Sequence, residues 1–295
     1  MKLNKLFFAL MAVVLPLGFT ACGSDDNDEP APQTPTFVNQ DKAARYTFSN
    51  STGVQSVTFG ESNSVVIETT NEDGVTEYIV GTYIANGDTY TVSSGSGTWT
   101  FKVGSNNDVV VTNPEGVISQ VTATKSTATD KSEKTQNILG DWRPKETFIK
   151  LKKVTAKNYL GLNPIPGVDF QAIKKAAEAE GCKIEDEFKD DFVVKTVSFY
   201  GTKIFNVNFT SNKSYVANWE WYQWPDIDAS LKDAGIKFTW KDKDAAENNF
   251  IKEGKAACLL KTDGVYKGQL HLTLISVVDA SDGQWNVEIT FRLIR

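Results

Sequence analysis

The densest chemistry in the chain is Trp219-Glu220-Trp221-Tyr222-Gln223-Trp224-Pro225. Aromatic faces stack on sugar rings and line apolar pockets, and an indole adds an N–H donor at one edge. On a strand, Trp219 and Trp221 share a face with Gln223, while Tyr222 and Trp224 share the other with Glu220. A sheet with one wet face does not need aromatics on both. Either Trp219, Trp221, Tyr222 and Trp224 include ligand contacts, or the segment after Asp226 covers the second face and all four rings are core. Trp99, Trp240 and Trp285 read as packing residues.

Other reactive side chains are sparse. The single histidine, His271, lies in Leu270-His271-Leu272-Thr273-Leu274, where the leucines face one way and His271 the other with Thr273. A nucleophile relay needs a histidine beside a nucleophile on a sharp turn, and there is no Gly-x-Ser-x-Gly. One histidine with two distant cysteines does not supply a zinc site, so no metal is expected. No phosphate loop or dinucleotide fingerprint is present, so no cofactor is expected. Glu185, Asp186, Glu187, Asp190 and Asp191 offer carboxylates for glycoside hydrolysis, but such a run reads as a solvated face. The chain is therefore expected to bind rather than catalyse.

These residues sit in a mainly β chain. Residues 45–125 are rich in Val, Thr, Tyr and Ile, with Gly, Asn or Asp every eight to twelve residues. That rhythm predicts an antiparallel β domain of seven or eight strands, from Val54-Val57-Phe59 and Val65-Ile67 through Val75–Ala85, Thr89–Ser93, Thr98–Val103 and Val109–Thr112 to Val117–Thr124. Asn86-Gly87 and its like favour hairpin turns. Residues 126–136 are polar and aperiodic and read as a linker. A second domain, 137–295, is expected to be a β-barrel or sandwich with one to three short helices. Asp169 caps a helix bearing Phe170, Ile173, Ala176 and Ala177 on one face and closed by Gly181. Strands are predicted at Thr147–Val154, Phe192–Phe199, Lys203–Thr210, Ser214–Trp221, Ala256–Lys261, Val265–Val277 and Trp285–Ile294. Asp226 or Asp228 caps a second helix ended by Gly235, and Asp244–Glu253 is a third candidate. In the last strand Trp285, Val287, Ile289, Phe291 and Leu293 share one face, so that face is buried.

The chain opens with Lys2 and Lys5, an apolar run Leu6–Phe19, and small residues before Cys22. A basic start, a short apolar core and a small-residue end read as a secretory signal over residues 1–21. The run is too short to span a bilayer. Leu17-Gly18-Phe19-Thr20-Ala21-Cys22 resembles the lipobox of bacterial lipoproteins, and Ser24-Asp25-Asp26 resembles the surface-export signal of Bacteroidetes lipoproteins. The resemblance implies lipidation at Cys22, a membrane partner through that anchor, an outer-membrane address with cell-surface exposure, and an acidic, Pro-rich tether over 22–44. Loss of residues 1–21 leaves 29 of the 31 basic residues against 37 acidic ones, a net charge of −8. That charge, with no Lys/Arg cluster among aromatics, argues against nucleic acid as a partner. Cys182 and Cys258 remain, as one disulfide or as two buried thiols.

Gly140-Asp141-Trp142 at the start of a β domain with arginine at its end resembles the lipocalin pattern. In that family a Gly-x-Trp of the first strand packs at the closed end of an eight-stranded barrel and an arginine of the last strand covers the tryptophan. The resemblance implies these parts for Gly140, Trp142 and an arginine. Arg295 is in phase with the apolar face of its strand and Arg292 is not. Val80-Gly81-Thr82-Tyr83 looks like a degenerate version in the first domain. The stretch from Lys157 to Glu187 departs from a compact lipocalin. Three functions follow as expectations: a non-enzymatic lipoprotein holding a small apolar or amphipathic ligand, a surface glycan-binding accessory protein, or an interaction module without a small ligand.

Overall fold

The computed structural model describes residues 37–49, 53–106, 108–182, 193–225, 227–241, 255–280 and 283–295. The leader, Cys22, the acidic run 185–191, Asp226 and the helix candidate Asp244–Glu253 lie outside them. Two antiparallel barrels follow one another within one compact unit, Thr34–Arg295.

The first barrel is β1 (Ala44–Ser49), β2 (Val54–Phe59), β3 (Ser64–Thr70), β4 (Thr76–Asn86), β5 (Thr89–Ser94), β6 (Gly97–Val103), β7 (Asp108–Thr112) and β8 (Ile118–Ser126), each paired with the next. Pairing of β1 with β8, from Arg45↔Ser126 to Ser49↔Thr122, closes it and leaves no free edge. Alternation sends every second side chain inward, and these are aromatic or β-branched. Phe59 sits among Tyr90 at 4.1 Å, Tyr83 at 4.9 Å and Phe101 at 5.9 Å between ring centroids, so rings fill the interior.

The connecting stretch is more ordered than a polar linker. Ser132 caps a short helix, α1 (Glu133–Ile138), by accepting from the Thr135 N–H. The Asp130 carboxylate accepts from the Thr135 hydroxyl and pairs with Lys203 at 3.2 Å. Side-chain caps of this kind make a helix out of residues that otherwise favour turns.

The second barrel begins with β9 (Gly140–Lys153), a 14-residue strand that starts seven residues before the predicted one. Short β10 (Leu160–Gly161) and β11 (Ile165–Pro166) pair with it, and α2 (Phe170–Ala179) follows, capped by Asp169 accepting from Gln171 and Ala172 N–H. The remaining staves are β12 (Val194–Phe199), β13 (Ile204–Phe209), β14 (Ser214–Trp221), β15 (Gly235–Trp240), β16 (Lys255–Leu260), β17 (Leu270–Ala280) and β18 (Gly283–Ile294). β18 returns to β9 from Trp285↔Lys153 to Ile294↔Arg143, closing eight strands. That ladder slips between Arg292 and Leu293, where Glu146 and Pro144 are the partners. Pro144 has no N–H to give, and a bulge is where a strand tolerates that. Only Gly140–Trp142 of β9 pairs with β12. Beyond Trp142 the two strands part, and Phe170, Ile173 and Ala177 of α2 join the core there.

Two predictions need correction. The sequence pattern marks Gly235 only as a helix end, yet it opens β15, along which Ile236, Phe238 and Trp240 alternate inward. The strand expected from Val265 starts at Leu270, because residues 264–266 form a 3-10 turn with Val265 exposed. The segment ended by Gly235 is a 3-10 helix, Ala229–Ala234, capped by Asp228. Cys182 and Cys258 are both buried, and no disulfide joins them.

The barrels touch along a seam. Val66 packs with Tyr200, Ile204 and Val216, flanked by Tyr78 and Val80. Glu61, 3% exposed, accepts from the Gly201 N–H at 2.9 Å. Glu68 of β3 takes Arg45 at 3.0 Å and Lys241 at 3.7 Å.

Candidate functional site

The second barrel contains a partly enclosed cavity of about 120 Å³, within a space of about 870 Å³ that includes open solvent. Alternation on β13 supplies Phe205, Val207 and Phe209, and on β15 Phe238 and Trp240. Leu272 and Leu274 of β17 and Phe291 and Leu293 of β18 complete the wall, with Val168 and Phe170 at α2. The lining is apolar for the reason the barrel folds: its inward positions exclude water. Trp224 and Lys237 also border the cavity, Lys237 from an exposed position on β15. Lys237 is the one charged side chain among the described lining residues.

The four aromatics of the sequence cluster separate in space. Trp219 is 1% exposed, gives its N–H to the Tyr200 carbonyl at 3.1 Å and lies under Lys203 Nζ at 4.0 Å. Trp221 gives its N–H to the Thr135 hydroxyl at 2.8 Å, and Lys134 Nζ stands 3.8 Å over its ring. Trp221 joins the barrel to α1, Trp219 packs edge-on against Phe199 in the core, and neither lines the cavity. Tyr222 is 40% exposed, packs edge-on against Trp224 and carries Lys237 Nζ at 5.4 Å. Trp224 alone of the four lines the cavity, and its N–H is shared by the Ile236 and Ala256 carbonyls at 3.0 Å each. Lys237, Phe205, Phe238 and Trp240 were not singled out as site residues. The signal for the last two was the alternation Ile236-x-Phe238-x-Trp240.

The end of the barrel where β9 begins is plugged. Trp142 is fully buried and gives its N–H to the Ile138 carbonyl at 2.8 Å. The Arg295 guanidinium lies 4.5 Å over the Trp142 ring and donates to the Leu139 and Asn137 carbonyls at 3.1 and 3.3 Å. Gly140 adopts φ +98°, a conformation costly with a side chain, which turns the chain from α1 into β9. Arg292 is on the opposite face, paired with Glu146 at 2.5 Å. Val194, Phe209, Tyr215 and Trp240 line the cavity toward the opposite ends of their strands.

His271 stands on the outer wall, its ring 5.3 Å from that of Tyr266. Burial and the nearby Lys261 and Arg292 charges push its pKa down to about 4, so it is neutral near pH 7. Among the described residues, no three His, Cys, Asp or Glu side chains gather to hold a metal ion.

No family model and no curated protein matches the chain. Among solved structures, a porin-like protein from Bacteroides uniformis ATCC 8492 is similar over 88% of this chain and 99% of that one, at 6% identity and a TM-score of 0.20. The strand ladders above, not that likeness, define the class: a chain of two eight-stranded antiparallel barrels.

Proposed function

We propose that the chain is a non-enzymatic cell-envelope lipoprotein that holds a small apolar or amphipathic ligand inside its second barrel. The observation that carries this is the cavity, with apolar walls and one end of its barrel plugged by Trp142 and Arg295. Such a space favours a ligand that loses apolar surface to it. The Arg295 guanidinium over Trp142 beside a positive-φ Gly140 supports a lipocalin-like reading of this barrel. The glycan platform draws less support, since Trp219, Trp221 and Trp224 all give their indole N–H to the protein itself. Lipidation at Cys22 supplies the envelope address in this reading.

A thermal-shift panel of fatty acids, bile acids, porphyrins and oligosaccharides tests it. Apolar ligands at ~100 times their Kd raise stability by about 2.7 kcal/mol. Val207→Trp, which fills the cavity, abolishes the shift. Stabilisation by oligosaccharides alone favours the glycan reading, and no stabilisation by any class favours the interaction module. Incorporation of an alkynyl fatty acid that is lost in Cys22→Ala tests the anchor.

A further inference from the structure

The cavity has one charged side chain on its described lining, and that side chain is exposed to solvent. Lys237 lies on the outer face of β15, yet it borders the cavity together with Trp224. The described β15–β16 ladder consists of Gly235↔Ala257 and Ile236↔Ala256, and Lys237 is the next residue along. Its ammonium stands 5.4 Å from the Tyr222 ring, Glu220 is its register partner across the β14–β15 ladder, and Lys255 begins the neighbouring β16. Among the described ion pairs none joins Lys237 to Glu220 or to another carboxylate. Lys237 is exposed to solvent, so beside a neutral guest its ammonium keeps its water. An anionic head placed there gains a charge-assisted contact while its body stays among Phe238, Leu272 and Leu274.

We propose that the cavity takes an anionic amphiphile, its acid group on Lys237 Nζ and its apolar body within the barrel. This rests on the ligand-binding reading above and adds the class of head group and the residue that selects it. The carboxylate must sit at this place, because a carboxylate carried deeper would lose its water without a partner.

Isothermal titration of the purified protein at low ionic strength with decanoate and with 1-decanol separates the two claims. The expected result is tighter binding of decanoate by about tenfold, the scale of one favourable charge contact. Lys237→Gln removes that preference and leaves 1-decanol binding unchanged, while Lys237→Arg keeps it. Equal binding of acid and alcohol, or a preference that survives Lys237→Gln, overturns the inference and leaves the apolar-ligand reading standing. Binding of neither probe overturns both.

Discussion

Arg295 holds the plugged end with one side chain: its plane covers Trp142 and its N–H groups take the carbonyls of Leu139 and Asn137. Removing it leaves two carbonyls without their donor and one aromatic face uncovered. Arg295→Ala is expected to cost about 1–2 kcal/mol in denaturant unfolding, and Arg295→Lys to recover part of it, since an ammonium lacks the planar fork. Equal stability of all three proteins would remove the residue from the closure. His271 gives a second check. Its depressed pKa means that stability is full above its ordinary 6.5 and is lost as pH falls from there through about 4. With one histidine in the chain, a single imidazole proton signal reports it, and titration near 6.5 would refute its burial. Glu61 has the opposite sign. Burial raises its pKa above 4.5, so its contribution is present below that value and is lost as pH rises through the raised one. Glu61→Gln is therefore expected to gain stability over wild type progressively as pH rises from 4.5, while still accepting from Gly201. A difference that stays flat with pH would mean the carboxylate is solvated.

At the scale of elements, the seam turns on one tight approach. A methyl group on Gly201 would stand 2.2 Å from Glu61 Oε1 and 2.6 Å from Ala128 Cβ. Gly201→Ala is therefore expected to push the 200–203 turn off the first barrel at a cost of about 1–3 kcal/mol. Faster proteolysis within residues 127–131 would report it, and unchanged cleavage would show that the turn accommodates the methyl. Which elements were legible follows from where their signals lie. Hairpins of the first barrel carry alternation and Asn/Gly turns in the chain itself, and β2 and β4 to β8 appear within two residues of prediction, while β3 runs three residues past Ile67 and the closing strand β1 has no predicted counterpart. The Asp169 cap and the single buried face of the last strand were legible for the same local reason. α1 was not, because its helix rests on Ser132 and Asp130 side chains and on Lys203, 73 residues from Asp130. β15 was hidden by its length and by the helix signal before it. The aromatic cluster was visible as chemistry, but its division among Trp219 in the core, Trp221 near α1 and Trp224 on the cavity depends on the chain leaving β14 at Tyr222. Lys237 could not be found in sequence, since its partner is a space bounded by distant strands.

At the scale of the molecule, the seam buries Tyr200 wholly between the barrels, where burial also drives its pKa up. The two barrels are expected to unfold in one calorimetric transition, and Tyr200→Ala, at a cost of about 3–5 kcal/mol, to split it into two. Two transitions in the wild type would show that the seam does not couple them. Phe37, the first described residue, has a further consequence. Its ring lies 5.9 Å from the Arg295 guanidinium and within reach of Gly140, at the plugged end of the second barrel. The chain thus enters beside the base of the vessel, and its lip is the length of a stave away. On the reading proposed above, an anchor upstream of Phe37 would hold the base and leave the far end of the barrel free for a ligand to enter and leave.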